Sequence, residues 1–156
     1  MESIVQAKRV LEIFKEMSQI PRESGNEKGI SDYIVNFAKN LGLEVHQDDQ
    51  YNVVIKKPAS PGYENRPSII LQGHIDMVCV RDHDSNHDFT KDPIANIIEG
   101  EWMHADHTTL GADNGMGGAM MLAILEDDSQ QHGPMQLLFT TNEETGMDGA
   151  FAIKEG

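Results

Sequence analysis

Apolar residues recur at helical spacing in two early stretches. Within residues 7–20 they fall at Val10, Leu11, Phe14, Met17 and Ile20, one face of a helix. Pro21 ends that helix, because its ring fixes φ and removes an N–H donor. Ser24-Gly25-Asn26-Glu27 predicts a turn, and the Ser24-to-Glu27 spacing is that of a capping box. A second amphipathic helix turns Ile30, Tyr33, Ile34, Phe37 and Ala38 inward, with Gly42 as its natural C-terminal cap. The pattern then shortens. Residues 43–46 and 51–55 predict a hairpin across Asp48-Asp49-Gln50. Pro58, Pro61, Gly62 and Pro67 mark a loop, and the apolar run 68–71 predicts a buried strand. Residues 101–105 predict a short strand, 119–125 a helix, 135–139 a strand and 148–154 a short helix. Met116, Met120 and Met121 read as core filler. The order of elements predicts an α/β fold, a mixed β-sheet flanked by helices, with no internal repeat or clear linker.

Charge and cysteine usage narrow the function classes. The 156 residues hold 26 acidic and 12 basic side chains, a formal net charge of −14. Nucleic acid and anionic membrane are poor partners for such a chain, which lacks the Lys and Arg clusters that counterion release requires. The balance suits a soluble protein or one that collects cations. The single cysteine, Cys79, allows no internal disulfide, so a reducing, cytoplasmic location is expected. Cys79 itself reads as a small buried hydrophobe at a strand end. Residues 1–6 lack a basic region followed by an apolar one, and no apolar run approaches bilayer length.

Three stretches carry candidate chemistry. His74 and Asp76 follow the predicted strand 68–71, two residues apart, so an extended backbone places both on one face. An imidazole with an adjacent carboxylate is a metal ligand with its orienting group, or a hydrogen-bonded pair at a strand end. Residues 111–118 are glycine-rich and run into the helix 119–125. They hold no lysine for a P-loop, and Gly115, Gly117 and Gly118 miss the dinucleotide fingerprint. Those glycines instead let backbone and helix pack close around Asp113. Glu143-Glu144 follows the strand 135–139.

Ligands gather at the carboxyl ends of strands in open α/β sheets. His74, Asp113 and Glu144 therefore offer one nitrogen and two carboxylates to a divalent ion. A carboxylate can also bridge two ions about 3.5 Å apart. On an extended segment Glu143 and Glu144 diverge, leaving one free to move a proton. Ordinary readings stand beside these: Asp113-Asn114-Gly115 as a turn, Glu143-Glu144 as a loop pair. The His- and Asp-rich residues 81–93 match no closed zinc site and read as a mobile solvated loop. His104 and His107 are kept as candidates for a substrate or structural contact.

Gly73-His74-Ile75-Asp76-Met77-Val78, Thr108-Thr109-Leu110-Gly111-Ala112-Asp113-Asn114-Gly115 and Asn142-Glu143-Glu144-Thr145-Gly146-Met147-Asp148-Gly149-Ala150-Phe151 resemble the active-site motifs of the co-catalytic zinc aminoacylase/carboxypeptidase/dipeptidase family. Among its members the aminoacyl-histidine (Xaa-His) dipeptidases match best, helped by Asp88-Phe89-Thr90-Lys91-Asp92-Pro93. The resemblance implies two zinc ions, with cobalt or manganese as substitutes. It implies His74 on one ion, Glu144 on the other and Asp113 bridging, with Asp76 orienting His74. Glu143 becomes the general base that activates water and then protonates the departing amine of a dipeptide substrate. The family often has a cis peptide after the bridging aspartate, here Asp113–Asn114. It also has two further metal ligands and a lid or dimerisation domain, for which this sequence shows no counterpart. Residues 1–156 are therefore expected to be the N-terminal portion of an incomplete zinc-peptidase catalytic domain, with the C-terminal catalytic half and lid absent. On that expectation a non-catalytic module with weak metal binding is the alternative, and a truncated sheet could pair with a second copy.

Overall fold

The computed structural model describes residues 2–154, with side chains described from Gln6 onward. The reading of residues 1–6 as lacking a leader falls, but for Gln6, outside those described side chains, as do Glu155 and Gly156. The helix α1 (Glu2–Ser18) leads to α2 (Lys28–Asn40), and β1 (Glu44–Gln47) and β2 (Val53–Lys57) form the expected antiparallel hairpin. β3 (Ile69–His74) precedes a separate two-stranded ribbon, β4 (Asn96–Glu99) and β5 (Trp102–Ala105). α3 (Ala112–Glu126), β6 (Met135–Thr140) and the short α4 (Asp148–Phe151) complete the order.

The main sheet runs β1-β2-β6-β3. β6 is its hinge of direction, antiparallel to β2 and parallel to β3. The mixed α/β sheet expected from the sequence is thus observed. Alternate residues supply the core: Val53 and Ile55 from β2, Leu137 and Phe139 from β6. Phe14 and Met17 of α1, Ile30 and Ile34 of α2, and Leu122 of α3 close over them. Full burial of each such side chain stabilises by about 1.5–3 kcal/mol. At the far end of α3 the buried Lys57 ammonium donates to the carbonyls of Ile124, Leu125 and Asp127 at 2.9–3.0 Å. A cation there satisfies carbonyls that the helix leaves without partners.

Several local expectations are corrected. Ile13, not Leu11, joins the buried face of α1, and Leu11 stays exposed. The buried stripe of α1 thus runs through Ile13, Phe14 and Met17. The run 68–71 is not buried: among the described residues β3 pairs with β6 alone, at the sheet edge, and Ile69 and Ile70 are exposed. Met120 points outward while Met121 is buried. β4 was not anticipated, and α4 is shorter than expected. The C-cap of α2 is as expected: Gly42, at φ +70°, donates to Lys39, and Leu43 to Ala38. The capping box is absent. Glu27 occupies the N-cap without a side-chain cap bond, and Ser24 and Glu27 both bond elsewhere. Among the described residues no helix is long and apolar enough to cross a membrane.

Candidate metal centre

The parallel pairing of β3 with β6 explains how distant motifs meet. His74 is the register partner of Thr140, so both strands deliver their following loops to the same sheet edge. α3 packs against α1 and β3 and starts beside that edge. It carries Asp113 in its first turn, where the backbone departs from helical angles at Asp113 and Asn114. The Asp113–Asn114 peptide is cis.

The glycines of this turn make room for specific neighbours. A Cβ at Gly111, where φ is +70°, would lie 2.5 Å from Arg22 Nη2 and 2.6 Å from Met77 Sδ. One at Gly115 would lie 2.5 Å from the same Arg22 nitrogen and 3.0 Å from Phe14. Only residues without a Cβ allow α3 to sit this close to the guanidinium.

His74 is buried and Asp76 is fully so. His74 Nδ1 lies 3.2 Å from Asp76 Oδ1, and its Nε2 faces Asp113 Oδ1 at 3.1 Å and Glu143 Oε2 at 3.8 Å. Asp76 is the hub of the group. Its Oδ1 also accepts the Glu143 N–H at 3.1 Å, and its Oδ2 accepts the Glu144 N–H at 3.1 Å and the Ser24 hydroxyl at 2.7 Å. One carboxylate therefore both orients the imidazole and shapes the turn that bears the two glutamates.

Burial would raise the Asp76 pKa, but the bonds from His74, Ser24 and the two backbone N–H groups outweigh it and hold it at about 2. Burial also pulls His74 down. Its hydrogen bond and charge interaction with Asp76, joined by Asp113 and Glu143, reverse that and raise it to about 9. The position already favours positive charge between carboxylates.

The structure brings His74, Asp113 and Glu144 together: one ligand atom from each lies within 4.8 Å of the others. With Nδ1 turned to Asp76, the Nε2 of His74 faces the acidic groups, the orientation a ligating imidazole needs. Asp113 is largely exposed and Glu143 half so, which leaves the centre open to solvent and substrate. The donor set fits a divalent cation that accepts mixed nitrogen and oxygen ligands. Glu143 and Glu144 lie in a turn rather than on the extended segment expected, and Asn142 before them has φ +54°.

His104 and His107 stay outside this group. His107 Nδ1 contacts Asp82 at 2.7 Å and, with Asp84, forms a second, wholly exposed cluster. His104 lies near Glu99 on the ribbon. Sequence reasoning missed the contribution of the α1–α2 connection. Arg22, Ser24 and Glu27 all reach the ligand-bearing loops. Ser24 and Glu27 were visible only as a capping pattern. A lone arginine after proline carries no signal of burial.

Comparison with known proteins places this fold among peptidases. The chain is 49% identical over 143 residues to the cytosol non-specific dipeptidase of Escherichia coli, covering 92% of this chain and 30% of that protein. The crystal structure of an aminoacylhistidine dipeptidase from Vibrio alginolyticus superposes with a TM-score of 0.92 at 47% identity, over 95% of this chain and 30% of the other. A Staphylococcus aureus tripeptidase superposes at 0.77 with 28% identity, over 94% and 39%. The chain thus spans about a third of the length of these relatives. The model of peptidase family M20/M25/M40 matches residues 70–156, the stretch that holds His74, Asp76, Asp113, Glu143 and Glu144. By this match over more than half of its residues, the chain belongs to peptidase family M20/M25/M40.

Proposed function

We propose that this chain carries part of the active site of a metal-dependent dipeptidase that hydrolyses Xaa-His and other short dipeptides. The observation that supports it best is the convergence of His74, Asp113 and Glu144 within 4.8 Å, with Glu143 beside them. His74, Asp113 and Glu144 would hold the metal, Asp113 as the bridging ligand between two ions. Zinc suits these donors, with cobalt or manganese as substitutes. Such ions, when bound, polarise a peptide carbonyl and make water more acidic.

The remaining chemistry falls to the chain itself. Asp76 holds the Nδ1 proton of His74 and keeps Nε2 directed at the site. Glu143, free of a strong partner, takes a proton from the attacking water and returns it to the departing amine. That transfer leaves a carboxylic acid and a free amine, and Glu143 ends as it began.

The dipeptidases among the relatives support dipeptides as the substrate class, and the cytosolic relative supports a cytoplasmic location. Since the chain spans about 30% of their length, the reading places residues 1–156 as the N-terminal portion of a longer catalytic domain. The exposed β3 edge at Ile69 and Ile70 is then covered by further chain or by a second copy.

The test is metal content and affinity of the purified chain, with dipeptide hydrolysis measured on the same sample. Stoichiometric zinc with turnover supports a complete site, assembled alone or across copies. Weak zinc without turnover assigns catalysis to the longer protein. Zinc affinity unchanged by His74→Ala and Asp113→Ala overturns the metal reading.

A further inference from the structure

The α1–α2 connection contains three polar side chains that neither helix uses. Arg22 is 2% exposed, yet among the described residues no carboxylate hydrogen-bonds to its guanidinium. Its Nη1 donates to the Ile75 and Asp76 carbonyls, each at 3.2 Å, and its Nη2 to the Gly111 carbonyl at 2.5 Å. One rigid planar fork therefore joins the loop after β3 to the N-cap residue of α3. His74 stands just before the first of these segments, at the end of β3, and Asp113 just after the second, in the first turn of α3. A guanidinium spans them as a spacer of fixed length, which a flexible ammonium cannot reproduce.

Ser24 and Glu27 reach the remaining station. The Ser24 hydroxyl donates to Asp76 Oδ2 at 2.7 Å. Glu27, 3% exposed, accepts the Asn142 N–H through Oε1 at 3.0 Å, immediately before Glu143. The backbone joins in: Met77 N–H donates to the Arg22 carbonyl at 3.1 Å, in a short parallel bridge of residues 23 and 77. Six residues of connection thus touch every loop that bears a candidate ligand. Ser24 and Glu27 leave their expected capping roles to do so, since α2 has no side-chain cap.

We propose that Arg22, Ser24 and Glu27 are positioning residues that hold the three ligand-bearing loops in register. Arg22 sets the separation of the His74 and Asp113 loops, Ser24 fixes the rotation of the Asp76 carboxylate, and Glu27 anchors the Glu143-Glu144 turn. None of the three belongs to the His74–Asp113–Glu144 group itself. Their role as metal-site positioners rests on the metal reading given above, whereas their hold on the loops does not.

The test uses Ser24→Ala, Ser24→Thr, Glu27→Met and Glu27→Gln in the purified chain. Removing Arg22 risks unfolding, so Arg22→Lys is read only where the metal-free melting temperature stays near that of the unaltered chain. Two readouts are taken: amide hydrogen exchange at residues 142–144 without metal, and cobalt(II) affinity with its visible absorption spectrum. Ser24→Ala and Glu27→Met are expected to speed exchange at their target amides about tenfold or more. They should also weaken cobalt binding by about 10–100-fold, the effect typical of losing a group that orients ligands. Ser24→Thr and Glu27→Gln, which keep a hydroxyl and a carbonyl oxygen, should restore both readouts. Unchanged amide exchange in Ser24→Ala and Glu27→Met overturns the proposal, whatever the metal result. Faster exchange with unaltered cobalt affinity and spectrum overturns it as a claim about the metal centre. An unaltered chain that binds no cobalt overturns the metal reading instead, and amide exchange then decides the positioning proposal by itself.

Discussion

The backbone N–H of Glu144 donates to Asp76 Oδ2 at 3.1 Å, across 68 residues of sequence. The carboxylate that faces His74 is therefore also part of the turn that presents Glu144. Ligand orientation and turn conformation are one arrangement, and a change to either is felt by both.

Asp76→Asn tests that coupling. An amide side chain offers one acceptor oxygen where the carboxylate offers two. Some of the four donors now satisfied by Asp76, from His74, Ser24, Glu143 and Glu144, must lose their partner. Each buried donor left unpaired costs about 1–3 kcal/mol. Denaturant unfolding should show a loss of that order, with metal affinity reduced about 10–100-fold. A variant as stable as the parent and binding zinc equally well contradicts the hub role of Asp76.

Glu143→Gln separates binding from chemistry. Its side chain lies 3.8 Å from His74 and outside the His74–Asp113–Glu144 group. In any preparation that hydrolyses dipeptides, kcat should fall by about 10²–10⁴-fold while metal content holds. Near-normal kcat would show that another group moves the proton.

Gly115→Ala tests the space around Arg22. The added Cβ would lie 2.5 Å from Arg22 Nη2 and 3.0 Å from Phe14. Overpacking of this kind costs about 1–3 kcal/mol. The contrast is Gly25→Ala, where nothing lies within 4 Å and φ is +89°. There the cost is backbone strain alone, about 1 kcal/mol. Unfolding curves that rank Gly25→Ala as the more damaging would contradict this packing.

The sequence foretold the helices and strands that carry strong periodicity or clear punctuation. Ile30 and Ile34 on α2, Gly42 at its end, and the β1–β2 hairpin are all local signals. His74, Asp113 and Glu144 were legible because each follows a strand or opens a helix. The rest depended on tertiary pairing. Nothing local reveals that β3 lies at an edge, so its apolar run read as buried. Ser24 and Glu27 have the spacing of a cap, and only the folded chain shows that Asp76 and Asn142 claim them. Gly111 and Gly115 were read as aids to close packing, while the neighbour that needs their space, Arg22, has no sequence mark.

Cys79 supplies a pH prediction. Burial disfavours the thiolate, and the nearby Glu23 charge adds to that, so the thiol pKa rises to about 11 despite Arg22. Above the usual thiol value the side chain therefore stays protonated, and reactivity appears only as pH climbs toward 11. Alkylation by iodoacetamide at pH 8 should be at least roughly tenfold slower than for a free thiol of ordinary pKa. A rate profile with its midpoint near 8.5 would refute the raised value.

The central place of β6 has a consequence for the order of events during synthesis. β2 and β3 leave the ribosome long before their shared partner, since Val53 and Gly73 both pair with Phe139. Until β6 emerges, neither can enter the four-stranded sheet, and the barrier is dominated by closing long loops. The same insertion draws the Glu143-Glu144 turn onto Asp76, because it follows β6 directly. Nascent chains should thus gain a closed sheet and a gathered ligand set in a single late step, with helices α1 and α2 formed well beforehand.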